Sequence, residues 1–180
     1  MAHETCPKRP FQQPVYDLGA EAGRLTLEPI GPGEAAILGA AFAAIDPWAA
    51  YGSTPARLGN FFGQQEADCC RRGIRRDGHL IGAVVVRSPW LHGPYLQFLG
   101  LMPGRQGRGA GAAVLAWMER EAGPGTRNLW LCVSAINTRA RAFYERHGYS
   151  HAATLDGLAA DGMDELLMRK RLAATGTPHG

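Results

Sequence analysis

The sequence predicts an α/β fold, one sheet of mixed direction flanked by helices, in the order β-α-α-β-β-β-α-β-α-β-β. Three observations carry this. β-rich apolar runs alternate along the chain with segments of helical periodicity. Asp77-Gly78, between two β-rich runs, is a two-residue turn that matches the twist of paired strands. Residues 99–111 pass from an apolar run through Pro103 and a glycine-rich turn into a helix. At 180 residues, 46% hydrophobic and 19% charged, the chain has the size of one domain with a sizeable core.

Residues 1–23 mix proline, glutamine and charge without a period and read as a flexible N-terminal arm, leaving 24–172 as a single domain and 173–180 as a frayed tail. Alternation over 24–29 predicts a first strand, and Ile37, Leu38, Ala41, Phe42 and Ile45 repeat at helical spacing over 33–45. Asp46-Pro47 ends that helix. A loop carrying Trp48 and Tyr51 leads to a second helix, capped by Ser53 or Thr54, with Pro55 in its first turn. The two aromatics are either lids over a ligand or staples that pack the loop on the core.

The hairpin 69–76 and 79–87 follows, its second strand central because 81–86 is continuously β-rich. Residues 88–94 connect it to the strand 95–101, where Gly100 suggests a bulge or a close backbone approach by a ligand. Gly111, Val114, Leu115, Met118 and Ala122 draw one stripe on the next helix, which Gly123-Pro124-Gly125 stops. Residues 128–134 form a strand, Asn137 opens a short helix with Ala140, Phe143 and His147 on one face, and Gly148 closes it. A last pair of strands, 149–155 and 164–170, is joined by a glycine-containing loop.

Composition excludes several classes of function. No stretch approaches the ~20 apolar residues of a membrane helix, and Glu4, Lys8, Arg9 and Pro10 stand where a signal peptide needs an apolar core. A net charge of +3 is no dense basic patch, so neither nucleic acid nor a membrane is an expected partner. Cys6, Cys69, Cys70 and Cys132 show no disulfide framework or metal spacing, which suits free thiols in a reducing cytoplasm and predicts no metal site.

The turn before the third helix carries the chemistry. A helix start of glycine and alanine leaves its backbone N–H groups uncovered at the positive end of the helix dipole, which suits a phosphate or pyrophosphate. No Lys-Ser or Lys-Thr follows the last glycine, which argues against a nucleotide-hydrolysing P-loop, and the dinucleotide fingerprint spacing is absent. The pattern present is Gln-x-x-Gly-x-Gly at Gln106, Gly109 and Gly111. The structural alternative is a tight strand-to-helix connection. Arg105, Arg108, Arg139 and Arg141 lie where a phosphate ligand would use them or are solvated surface arginines.

Following a strand that ends Leu-Met-Pro, this pattern resembles the acetyl-coenzyme A loop of the GNAT-type N-acetyltransferases. A second resemblance lies one strand later, with Asn137, Ala140, Tyr144, Gly148 and Tyr149 at the spacing of the family's other signature. The resemblance implies a GNAT-type, largely antiparallel sheet in which the strand at 95–101 splays from the one at 129–134. Acetyl-coenzyme A would be the co-substrate, its pantetheine arm on the main chain of Leu99 and Leu101. Its pyrophosphate would rest on Gln106, Gly107, Arg108, Gly109, Ala110 and Gly111, and Asn137 would hold it or cap its own helix. A backbone N–H near Leu101 would polarise the thioester, and Tyr144 would protonate the departing sulfur unless it is a core tyrosine.

Tyr95 and Gln97 stand where some members carry a glutamate, and Cys132 stands where the ribosomal-protein N-terminal acetyltransferases carry an acid. Asp46, His92, Asp164 and Glu165 remain as candidate bases, each with a surface or capping role as its alternative. Asp46, Trp48 and Tyr51, with the loop at 156–163, mark the expected acceptor region. The acceptor implied is the primary amine of a small molecule; a protein lysine or N-terminus, or a non-catalytic sensor of acetyl-coenzyme A, are the alternatives. The chain would be a monomer or a homodimer.

Overall fold

The computed structural model describes residues 10–20 and 23–173. The expected frayed tail lies outside the described residues except for Ala173, as do residues 1–9 of the expected arm and Cys6. The elements are β1 (Tyr16–Gly19), β2 (Leu25–Glu28), α1 (Pro32–Ala43), α2 (Pro55–Gly63), β3 (Cys69–Arg76), β4 (His79–Trp90), β5 (Gly93–Leu101), α3 (Ala110–Ala122), β6 (Asn128–Ser134), α4 (Thr138–Arg146), β7 (Ser150–Ala160) and β8 (Met163–Arg171). The strands form one sheet in the order β1-β2-β3-β4-β5-β6-β8-β7. Only β5 and β6 pair in parallel.

Helices cover both faces of this sheet. On one, Val84, Val86, Leu96, Leu129 and Leu131 pack against Val114, Leu115 and Met118 of α3. On the other, Ala83, Val85 and Phe98 pack against Leu38 and Phe42 of α1 and Leu58 and Phe62 of α2. β4 is therefore buried on both sides, which is why its centre reads as an unbroken apolar run. Pro32 and Pro55 begin α1 and α2, and the Thr54 hydroxyl accepts from the Arg57 N–H at 3.2 Å.

Four expectations from the sequence are corrected. The arm is structured at Phe11 and from Tyr16 to Gly19: β1 pairs with β2, and the rings of Phe11 and Tyr16 lie edge-on to Trp117 at 5.4 and 5.0 Å. Burying three aromatic rings together offsets the entropy of ordering that segment. The connection read at 88–94 shrinks to a turn at Leu91 and His92, because Trp90 packs against Tyr95 with its ring tilted at 4.7 Å and pairs with Gly93. The loop read at 156–163 is mostly strand; β7 runs to Ala160 and turns at Asp161-Gly162, while an irregularity between Leu155 and Ala160 bulges the intervening residues out. Gly100 is not the site of a bulge.

The bulge in β5 is at Gln97, since Val85 and Val86 pair with Phe98 and Leu96. Gly100 instead makes room for a ring: a Cβ there would lie 2.6 Å from Phe42 Cε1 and 2.8 Å from Phe98 Cε1. Phe42 is fully buried and cannot yield. Gly100→Ala is therefore expected to lower stability by about 1–3 kcal/mol, the usual cost of overpacking a core. A urea titration checks this, with a lower midpoint and an unchanged slope.

Candidate active site

The parallel ladder between β5 and β6 holds only Tyr95 to Trp130 and Leu96 to Leu131. Beyond those pairs the strands part, and the rest of β5 has no partner on that side. The Met102 N–H bonds back to Ile81 in β4 at 2.9 Å, so strand alternation turns the main-chain groups of Leu99 and Leu101 into the gap. Gln106 Nε2 donates to the Leu101 carbonyl at 3.2 Å, tying the glycine turn to the end of β5.

After Gln106 the chain turns through Gly107, Arg108 and Gly109, all left-handed, with φ of 82°, 52° and 73°. This run carries α3 out with Gly109 as its N-cap, and the first helical bond is from Ala113 N–H to the Gly109 carbonyl. The amides of Gly109, Ala110, Gly111 and Ala112 have no partner within the helix. Arg76 Nη2 reaches from β3 to the Arg108 carbonyl at 2.9 Å and braces the turn. A sequence reading has no signal for that contact, because the two residues meet only through the sheet. A Cβ on Gly111 would stand 3.0 Å from the Phe143 ring, so a glycine lets α4 approach α3 here.

Two cavities open along the gap. The first, about 440 Å³, is lined by Leu99, Leu101, Gln106, Gly107, Gly109, Ala110, Gly111, Asn137 and Tyr144, with Asp46, Arg139 and Arg146 also on its wall. It gathers every residue the sequence assigned to the co-substrate except Arg108. The second, about 450 Å³, lies on the α1–α2 side and is lined by Trp48, Tyr51, Phe61, Tyr95, Cys132, Ser134, Tyr144 and Glu165 among others. Leu99, Asn137, Ala140 and Tyr144 line both. Of the three residues expected at the acceptor, Trp48 and Tyr51 line the second cavity and Asp46 lines the first.

Asn137 Oδ1 accepts from the Ala140 N–H at 3.0 Å, capping α4 while its side chain stays on the wall of both cavities. Tyr144 is buried, and burial holds its phenol well above the ordinary tyrosine value, so it keeps its proton at neutral pH. Trp48 is a staple, stacked on Phe98 at 4.7 Å and edge-on to Phe42 at 5.0 Å. Tyr51 spans the second cavity, its hydroxyl donating to Glu165 Oε1. Burial and then that bond push the Tyr51 phenol up to about 12.

Among the four candidate bases, one faces the second cavity. Glu165 lies opposite Ser134 in the β6–β8 ladder and shares its side of the sheet. Burial raises its carboxyl above the ordinary range, against the lowering effect of the Tyr51 hydrogen bond. Asp164 caps instead, accepting the Gly157 N–H at 3.0 Å, and His92 lines a separate groove at the far end of β4 and β5. Cys132 carries a free thiol that burial raises, beside the Tyr95 phenol. No helix among the described residues is long and apolar enough to cross a membrane.

Residues 39–149 match the sequence model of the acetyltransferase (GNAT) family. The chain belongs to that family. RimJ of Mycobacterium smegmatis, solved in complex with CoA-disulfide, superposes with a TM-score of 0.65 at 18% identity, covering 91% of this chain and 90% of that one. The ribosomal-protein-S18-alanine N-acetyltransferase of Escherichia coli gives 0.62 at 19% identity, covering 87% and 99%. A variant of the spermidine N-acetyltransferase SpeG of Vibrio cholerae gives 0.61 at 16% identity, covering 82% and 93%. At these identities the likeness is one of GNAT fold. No curated protein matches the chain in sequence.

The raised carboxyl of Glu165 makes a prediction about stability. A carboxyl whose pKa is higher in the folded than in the unfolded state holds its proton more tightly when folded. Its contribution therefore falls as pH rises from the unfolded value, about 4.3, through the folded one. The stability of the parent relative to Glu165→Gln should decline across that window and be level on either side. Thermal midpoints of both proteins measured over a pH series check this.

Proposed function

We propose that this GNAT acetyltransferase transfers an acetyl group from acetyl-coenzyme A to the primary amine of a small molecule. The observation that carries the reading is the meeting of the two cavities at Tyr144. The first cavity fits the co-substrate: the unpaired amides at the start of α3 suit a pyrophosphate, and the open edge of β5 suits an amide-bearing arm. The CoA complex of the RimJ neighbour is in keeping with this. The second cavity, walled by α2, the α1–α2 loop and the bulged part of β7, suits a compact acceptor better than an extended polypeptide.

Acetyl-coenzyme A supplies an acyl group activated as a thioester. The chain would then do three things. Glu165, its carboxyl raised by burial, takes the proton that an ammonium must lose before its nitrogen can attack. The free Leu101 N–H, turned into the gap, stabilises charge on the acyl oxygen. Tyr144, protonated at neutral pH, gives its proton to the departing sulfur. Tyr51 orients Glu165 through their hydrogen bond.

Acetyl-coenzyme A should raise the thermal midpoint, by about 2.7 kcal/mol of stabilisation at a hundredfold excess over its Kd. Gly109→Glu, which sets a carboxylate against the phosphate turn, should abolish that rise; a persisting rise would move the site elsewhere. Tyr144→Phe should lower kcat by roughly 10²–10⁴-fold while still binding co-substrate. In the parent, kcat/KM should climb as pH rises through the raised Glu165 value, and Glu165→Gln should lose that limb. Stopped assays of thiol release across pH, with the product identified by mass, measure both.

A further inference from the structure

The charge on the wall of the second cavity restricts what can enter it. Among its described lining residues Glu165 is the only acid and Arg57 the only base. Arg57 stands in the first turn of α2, exposed, and forms no ion pair among the described residues. Much of the remaining wall is aromatic. Trp48 is held flat by its stack on Phe98, and Phe61 packs edge-on to Phe62 at 5.3 Å. Leu158, 60% exposed on the bulged part of β7, continues the apolar surface beyond the aromatic wall.

We infer that the acceptor is a monoamine with an aromatic or apolar body, its single ammonium at Glu165 and its body along the Trp48 and Phe61 wall. This rests on the assignment of the second cavity to the acceptor. A second ammonium would leave water for a wall with no further carboxylate and with the Arg57 charge on it. Burying an unpaired charge costs more than aromatic faces return. A single ammonium with an apolar body meets the carboxylate at one end and buries its remaining surface against rings.

The purified chain, saturated with acetyl-coenzyme A, would be assayed for kcat/KM with 2-phenylethylamine and tryptamine, and with 1,4-diaminobutane and spermidine. The arylalkylamines should exceed the polyamines by at least tenfold. Arg57→Glu, which replaces the repelling charge with an attracting one, should shrink that ratio at least severalfold by raising the polyamine values. Polyamines turned over as well as or better than the arylalkylamines would overturn the inference while leaving transfer to small amines intact. Transfer to neither class, with a lysine peptide or a protein N-terminus acetylated instead, would overturn both this inference and the small-molecule reading. A polyamine ratio unmoved by Arg57→Glu, in a variant whose thermal midpoint matches the parent, would also count against it.

Discussion

Two strands that begin as neighbours and then separate determine most of this molecule. β5 and β6 share two paired residues before they part, and the bulge at Gln97 immediately follows the last of them. A bulge adds local twist and re-aims the strand. Here it is followed by a stretch of β5 that hydrogen-bonds to β4 on one side and faces a gap on the other. Exposed strand edges are sites where another chain or a ligand adds its own amides. The gap also lets cavities from opposite faces of the sheet meet, with Tyr144 of α4 on the wall of both.

Packing on both faces keeps that gap in position. α3 holds its start against β5 through the buried stripe of Val114, Leu115 and Met118 and through the contact of Gly111 with Phe143. The α1 and α2 pair is held by the cluster of Phe42, Phe62, Phe98 and Trp48, whose rings lie 4.7–5.9 Å apart where they touch. Gly100 is part of that cluster by absence, since any side chain there would strike two of its rings. The loop that carries Tyr51 leaves this cluster at Trp48, so the reach of Tyr51 to Glu165 begins from a rigid base.

Burial sets the chemistry of the groups that face the gap. Tyr144, Tyr95 and Cys132 are all held in their protonated, neutral forms by it, and Glu165 is shifted the same way. Glu165 and Tyr144 both stand on the wall of the second cavity, and burial moves each toward its neutral form from a different ordinary value.

Local patterns in the sequence were enough for the strand and helix order from β2 onward, for the hairpin at Asp77-Gly78, for the glycine turn with its unpaired amides and for Asn137 as a helix cap. Each depends on periodicity, on a turn or on a residue's own backbone, and such features are written within a few residues. The family signatures at Gln106–Gly111 and Asn137–Tyr149 were legible for the same reason. The tertiary structure alone decided which acid lines the second cavity, that Arg76 braces the glycine turn, that β1 exists and that Gly100 serves a ring. Those outcomes depend on the register of Ser134 against Glu165, on sheet order and on aromatic rings brought together from distant segments. No short stretch of chain carries that information, because a strand's partner and its facing side are fixed only when the sheet assembles.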